Sequence, residues 1–191
     1  MDAPAEVMNL FAMVREQLAR GTWALLNDDV ELANKVVAGD DAIDEGCAAA
    51  ERRIWDELEV AGGVNRTLVS LLFLVSELER SADLATHIAE RAVAGLGRDM
   101  SPVSRGIVQR MFEVATDMWG RAAEMLGGSP VVEDLHETDE ELDILRDRLM
   151  NEVTIGQMEP RIVSQVTLLA RFYERLGDHA VNISRRLAEV P

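Results

Sequence analysis

Residues 77–91, ELERSADLATHIAER, and residues 173–187, YERLGDHAVNISRRL, decide the fold, because they are one motif written twice. Glu79 pairs with Glu174 and Asp83 with Asp178, and both separations are the same: 174 − 79 = 95 and 178 − 83 = 95. A second match lies upstream of each copy, where Asp40 and Asp44 in GDDAID correspond to Asp139 and Asp143 in TDEELD; 139 − 40 = 99 and 143 − 44 = 99. Self-similarity at a fixed period is the mark of a duplicated structural unit.

Outward from these motifs, apolar residues recur at three and four, the period of amphipathic helices, and a few strong breakers divide the chain. A first helix is expected over about Ala5 to Leu26, stopped by Asn27-Asp28-Asp29, which also offers a cap for a second helix reaching about Val60. Gly39 is placed to bend that second helix, Gly62-Gly63 ends it, and Asn65 caps a long third helix carrying LVSLLFLVSELERSADLATHIAERAVA. The segment GLGRDMSP, residues 95–102, holds two glycines and a proline and reads as a linker. Then the order repeats: a fourth helix from about Val103 to Leu126, a fifth from about Val131 to Ile155, and a sixth from near Pro160. The expected fold is all-α, two tandem three-helix bundles related by an internal repeat, residues 1–94 and 103–191, each a compact unit.

Composition supports helices and narrows the function classes. The 191 residues are 48% apolar but only 4% aromatic, a balance rich in good helix formers and long enough to bury a core. Nineteen Lys and Arg against 35 Asp and Glu give a net charge of −16, which repels nucleic-acid phosphates and anionic lipid heads and attracts cations and basic surfaces. No apolar stretch approaches the ~20 residues that span a bilayer, and MDAPAEVMNLF lacks the basic start of a secretory signal, so a cytoplasmic protein with no membrane insertion is expected. Cys47, the single cysteine, sits among apolar helix positions and reads as a core residue.

The repeated carboxylates carry the chemistry. At about 100° per residue, Leu68, Leu72, Val75 and Glu79 share one helix stripe with Asp83 at its edge, and Val163, Thr167, Ala170, Glu174 and Val181 share another flanked by Asp178. Asp40 lies near the line of Val36, Ile43, Cys47 and Ile54, whereas the fifth helix is less clear because its stripe includes Arg146. These carboxylates are therefore expected to point inward. Like charges four apart repel, and burial sharpens the conflict, so such a cluster must protonate, find arginines or ligate metal. Oxygen donors suit iron, manganese, magnesium or zinc without selecting one.

Other polar residues have plainer expectations. Arg80 and Arg175 each follow a motif glutamate and are placed to pair with a neighbouring carboxylate. His179 and His87 could extend a metal shell or serve as hydrogen-bonded structural residues. His136 stands three after Glu133, a di-iron spacing, but such sites need two copies and this chain has one. Trp23, Trp55 and Trp119 suit core or interface packing. There is no phosphate-cradling glycine loop and no nucleophile, base and orienting-acid set, so an enzyme is not expected.

The two motif copies, YERLGDHAVNISRRL above all, resemble the signature helices of the PhoU family, and the resemblance extends over nearly the whole chain. It implies two three-helix bundles and metal clusters held by Glu-or-Asp-x-x-x-Asp motifs, here Glu79, Asp83, Glu174 and Asp178, joined by motif match by Asp40, Asp44, Asp139 and Asp143. It implies divalent or ferric ions as cofactors and a cytoplasmic, often dimeric, repressor of the phosphate-starvation response. The implied partners are a phosphate ABC transporter ATPase and a sensor histidine kinase. The first half departs from the family pattern: Ser81-Ala82 replaces an aliphatic-glycine pair, and Leu84 and His87 stand where the second copy has His179 and Asn182. The first metal site is thereby expected to be the less secure. Two other function classes share these features, a di-metal carboxylate oxidase or iron-storage bundle and a metal-independent helical adaptor.

Overall fold

The protein was analysed as a computed structural model that describes residues 5–63, 65–129, 135–156 and 158–189. All regular structure among these residues is helical: α1 Ala5–Asn27, α2 Val30–Ala38, α3 Asp40–Ala61, α4 Arg66–Val93, α5 Leu96–Asp99, α6 Pro102–Leu126, α7 His136–Ile155 and α8 Pro160–Ala188.

The breakers act as their chemistry requires. Asp28 adopts a left-handed φ of 57°, and Asp29 caps α2 by accepting from the Leu32 N–H at 2.9 Å. Gly39 does more than bend the second helix, dividing it into α2 and α3 at a single residue. Gly62, at φ 64°, ends α3, a conformation glycine reaches without strain. Asn65 Oδ1 accepts from the N–H groups of Thr67 and Leu68 to start α4. The expected start of the fifth helix at Val131 lies outside the described residues, and α7 is described from His136.

Each half is a three-helix unit, α1 with α2/α3 and α4, then α6 with α7 and α8; the halves meet where α4 packs on α8 and α1 on α6. Phe73 lies against Arg186 and His87 against Phe172, so α4 and α8 run antiparallel. Phe11 of α1 meets Trp119 of α6 with ring centroids 5.0 Å apart. Residues 95–102 are packed rather than extended: Leu96, Gly97 and Met100 are buried, and a Cβ on Gly97 would collide with the Leu25 carbonyl and Asp28. Arg105 donates to the Leu26 and Gly97 carbonyls and faces Asp28, clamping this segment to the end of α1.

Of the tryptophans, Trp119 is core, 1% exposed, whereas Trp23 and Trp55 are 52% and 57% exposed. Cys47 is fully buried, and burial pushes its thiol up to about 12, leaving it inert as a nucleophile.

Among the buried polar pairs that join the halves, Thr22 Oγ1 and Tyr173 Oη lie 2.7 Å apart, both with no exposure. Thr22→Val should leave the Tyr173 hydroxyl dry and unpartnered, costing about 1–3 kcal/mol. The double change Thr22→Val/Tyr173→Phe should recover most of that loss. Urea unfolding of the two singles and the double checks this; additive losses would mean the hydroxyls are not coupled.

Candidate metal centre

The motif carboxylates lie along two seams, α3 with α4 and α7 with α8, and not inside the core. Asp44, Glu79 and Asp83 are exposed and Asp40 half-buried; Asp143 and Asp178 are exposed, Asp139 and Glu174 half-buried. The inward expectation is corrected by the helices' neighbours. α4 is covered by α1, α2, α3 and α8, so its core face is the broader set Leu71, Leu74, Val75, Leu78, Ser81 and Ala82. Leu68 and Leu72 are only partly buried, and the carboxylates fall at the rim. On α8 the core runs through Val166, Leu169, Ala170, Tyr173, Leu176 and Gly177, while Thr167 is exposed.

In the first half the two motifs converge. Asp40, Asp44 and Asp83 each offer a carboxylate oxygen, and these oxygens lie within 4.8 Å of one another. Asp40 is held in place by Thr86, whose hydroxyl donates to Oδ1 at 2.9 Å, and by the buried Gln17, which donates to the same oxygen at 3.3 Å and to Thr86 at 2.7 Å. Gln17 and Thr86 were not singled out from the sequence; the only trace of their role is a polar residue at a helix position that packs inward. Burial, then the charges of Asp40 and Asp83, push the Asp44 carboxyl above its ordinary range. Asp83 is raised by burial and Asp40, with His87 opposing. Glu79 is raised by burial and then by Asp44, Glu51 and Asp83. A set of hard oxygens under mutual repulsion is what a small divalent or ferric cation relieves, so the donor set fits a metal.

In the second half the same positions meet a different environment. Arg146 Nη1 lies 3.0 Å from Asp143 Oδ1 and 3.3 Å from Glu174 Oε2, and its Nη2 lies 3.1 Å from Asp147. Arg171 binds the other oxygen of Glu174. The cations on Glu174 are therefore Arg146 and Arg171, not the adjacent Arg175. The 3.3 Å contact is a charge pair without hydrogen-bond alignment, since Glu174 Oε2 is buried and has no hydrogen-bond partner. Gly177 lets α7 approach closely: a Cβ there would stand 2.6 Å from Asp139 Oδ1 and 2.5 Å from Leu142. Asp139 is pushed up to about 6 by burial first, then by Asp178 and Asp143. Asp178 is raised by burial and Glu174, with Arg175 and Arg171 opposing.

The histidines divide. His179 turns into the contact between halves, its Nδ1 2.8 Å from Ser81 Oγ and the residue only 7% exposed. Burial, then Arg80 and Arg175, lower it to about 4, so it is a neutral structural imidazole. His87 is exposed and stacks on Phe172 at 5.3 Å. His136 is exposed near Asp139; its sequence partner Glu133 lies outside the described residues.

The PhoU domain model matches residues 7–92 and 108–187, one copy in each half. The chain belongs to the PhoU family. It is similar to the phosphate-specific transport system accessory protein PhoU homolog 2 of Mycobacterium tuberculosis, 31% identical over 89% of this chain and 84% of that protein. The Rhizobium meliloti PhoU homolog is 28% identical over 95% of this chain and 80% of that protein. The crystal structure of PhoU from Pseudomonas aeruginosa superposes with a TM-score of 0.84 at 24% identity, covering 97% of this chain and 93% of that one, which establishes the duplicated helical fold. Among the described residues no helix is long and apolar enough to cross a membrane.

The raised value of Asp139 has a definite consequence for stability. Its folded value of about 6 lies above the ordinary 3.8, so the folded state holds that proton more tightly. Stability from this group is complete below about pH 4 and is lost as pH rises through 6. In chelator-treated protein the wild type should therefore lose stability relative to Asp139→Asn between pH 4 and 7, by about 1 kcal/mol after allowance for the water that reaches the site. Urea midpoints of the two proteins across that range measure it, and parallel curves would refute it.

Proposed function

We propose that this PhoU-family chain is a negative regulator of phosphate uptake and of the phosphate-starvation response, acting through bound cations and partner proteins and not through catalysis. The observation that carries the metal part is the convergence of Asp40, Asp44 and Asp83 from two helices, with Glu79 at the rim. The regulatory part is supported by the names of its relatives, which are phosphate-specific transport accessory proteins. Glu174, Asp178, Asp139 and Asp143 form the repeat counterpart of that cluster. The partners assigned are a phosphate ABC transporter ATPase and a sensor histidine kinase, with the protein working in the cytoplasm as a homodimer.

The chain's own residues prepare the site. Asp40 is oriented by Thr86 and Gln17, so one ligand is fixed before any cation arrives. Asp44 and Asp83 come from facing helices, so holding one ion would couple α3 to α4. When bound, the cation supplies positive charge on an otherwise acidic face, the property needed to meet phosphate or an acidic partner surface. Because the carboxyls of Asp44, Glu79 and Asp83 are raised, protons compete with metal there, and affinity should fall as pH drops.

Two measurements test this together. Purified protein should take up manganese, iron, zinc or magnesium, more weakly at pH 5 than at pH 7, and Asp44→Asn/Asp83→Asn should reduce uptake at least ~10-fold, as expected on losing two ligands. In cells, deleting the gene should switch on a phosphate-starvation reporter in phosphate-rich medium, and only the wild-type protein should restore repression fully. Normal repression in the deletion strain would sink the regulatory role. Full rescue by the double variant would leave regulation in place and remove the metal from it.

A further inference from the structure

We infer that the two carboxylate clusters are not equivalent: Arg146 is a built-in counter-ion that closes the second cluster to metal, so the chain carries its cation in the first half only. This inference rests on the metal part of the proposed function and adds to it which half binds and what controls it.

The repeat itself isolates the cause. Arg146 occupies the position equivalent to Cys47, since 146 − 47 = 99, the same offset that relates Asp139 to Asp40 and Asp143 to Asp44. In the first half that position holds a small, uncharged, fully buried side chain, so it brings no charge to the acids beside it. In the second half it holds a guanidinium three residues beyond Asp143, one helical turn away. The side chain crosses the seam: one Nη touches Asp143 on its own helix and Glu174 on α8, the other touches Asp147. Arg171 takes the remaining oxygen of Glu174. Both oxygens of this carboxylate, the counterpart of Glu79, thus already face positive charge, and the residue is only 14% exposed.

Electrostatics decides what this does to a metal ion. A guanidinium is positive at every physiological pH and forks between carboxylates. A cation entering the second cluster would have to break the contacts of Arg146 with Asp143 and Glu174 or sit beside a like charge in a partly dry seam, and both oppose binding. The first cluster imposes no such opposition. Arg80 acts on Glu79 and His87 lies beside Asp83, and its three converging oxygens belong to Asp40, Asp44 and Asp83. Among the described residues, these three are the set of His, Cys, Asp and Glu side chains whose donor atoms converge as a metal requires. The second-half carboxylates, although they keep the family's glycine at Gly177, do not.

The test is metal stoichiometry on the intact chain, with Mn(II) alone as probe in equilibrium dialysis at pH 7. Wild-type uptake should be lost in Asp44→Asn/Asp83→Asn and unchanged in Asp139→Asn/Asp178→Asn. Arg146→Met should take up about one further ion per chain, and that gain should vanish when Asp139→Asn/Asp178→Asn is added. Arg146→Lys, which keeps the charge, should stay at the wild-type count. Arg146→Gln, neutral and closer in shape, is run beside Arg146→Met and should show the same gain even if the latter folds poorly. In chelator both neutral variants should melt below wild type, and Mn(II) should raise their melting temperatures by more than it raises the wild type's. The inference is overturned if wild-type uptake falls in Asp139→Asn/Asp178→Asn, or if neither neutral variant gains an ion. A wild type that binds no Mn(II) at all would instead refute the proposed first-half site, while a gain in the Arg146 variants would still establish the arginine as the closing group.

Discussion

The antiparallel contact of α4 with α8 is the constraint on which the rest of the molecule hangs. At 28 and 29 residues, these helices are each about 42 Å long at the usual rise per residue, and between them they touch every other helix. Their mutual surface is polar at its middle, where Ser81 meets His179, and has an arginine over a phenylalanine at both ends, Arg91 on Phe172 and Arg186 on Phe73. The two arginines are repeat equivalents, since 186 − 91 = 95. Buried hydrogen bonds such as Ser81–His179 and Thr22–Tyr173 add little net stability but penalise any misaligned pairing, because each group would be left dry and unpaired. They set the register in which the halves meet, and with it the direction each carboxylate seam faces.

Given that register, the other long helices only have to cover the remaining faces of α4 and α8, and glycines permit the closest approaches. Gly21 brings α1 to 3.1 Å from the Ala85 carbonyl, measured from where a Cβ would stand. Gly177 does the same for α7 and leaves Asp139 pressed against α8. The first half has Ala82 at the position of Gly177, fully buried, and there Asp40 is positioned by hydrogen bonds from Thr86 and Gln17 instead. Two copies of one motif therefore hold the same carboxylate by different means, packing in one half and donors in the other.

Much of the fold was legible because its punctuation is local. Asp29, Asn65, Gly62 and Pro102 act on the few residues beside them, so the helix boundaries they set could be read without knowing the tertiary structure. Gly39 was legible as a weak point but not as a full break. The repeat was legible from four carboxylate pairs at constant offsets. What the sequence could not reveal is which side of each helix is covered. Placing Glu79 and Asp83 on an apolar stripe assumed one buried face for α4, whereas four helices cover it and push the acids to the rim. His179 illustrates the same limit: beside Asp178 in sequence, it turns toward Ser81 because α8 buries that side against α4.

The fate of the acids follows from the same geometry. Carboxylates at a rim can discharge their repulsion through protons, arginine or metal, and nothing in the motif chooses among these. The choice is made one turn away, by whether the next inward position carries charge. Cys47 is buried and uncharged, and burial with the charges of Glu79 and Asp44 only hardens its thiol against ionising. It supplies no positive charge to the acids beside it. Arg146 answers them from within. A duplicated protein can in this way keep both copies of a motif in sequence while an added arginine turns one of them into an ion-pair network between α7 and α8. The half that departs further from the family pattern at Ser81-Ala82 is the half whose oxygens converge, because the groups around the motif, more than the motif itself, decide where its carboxylates come together.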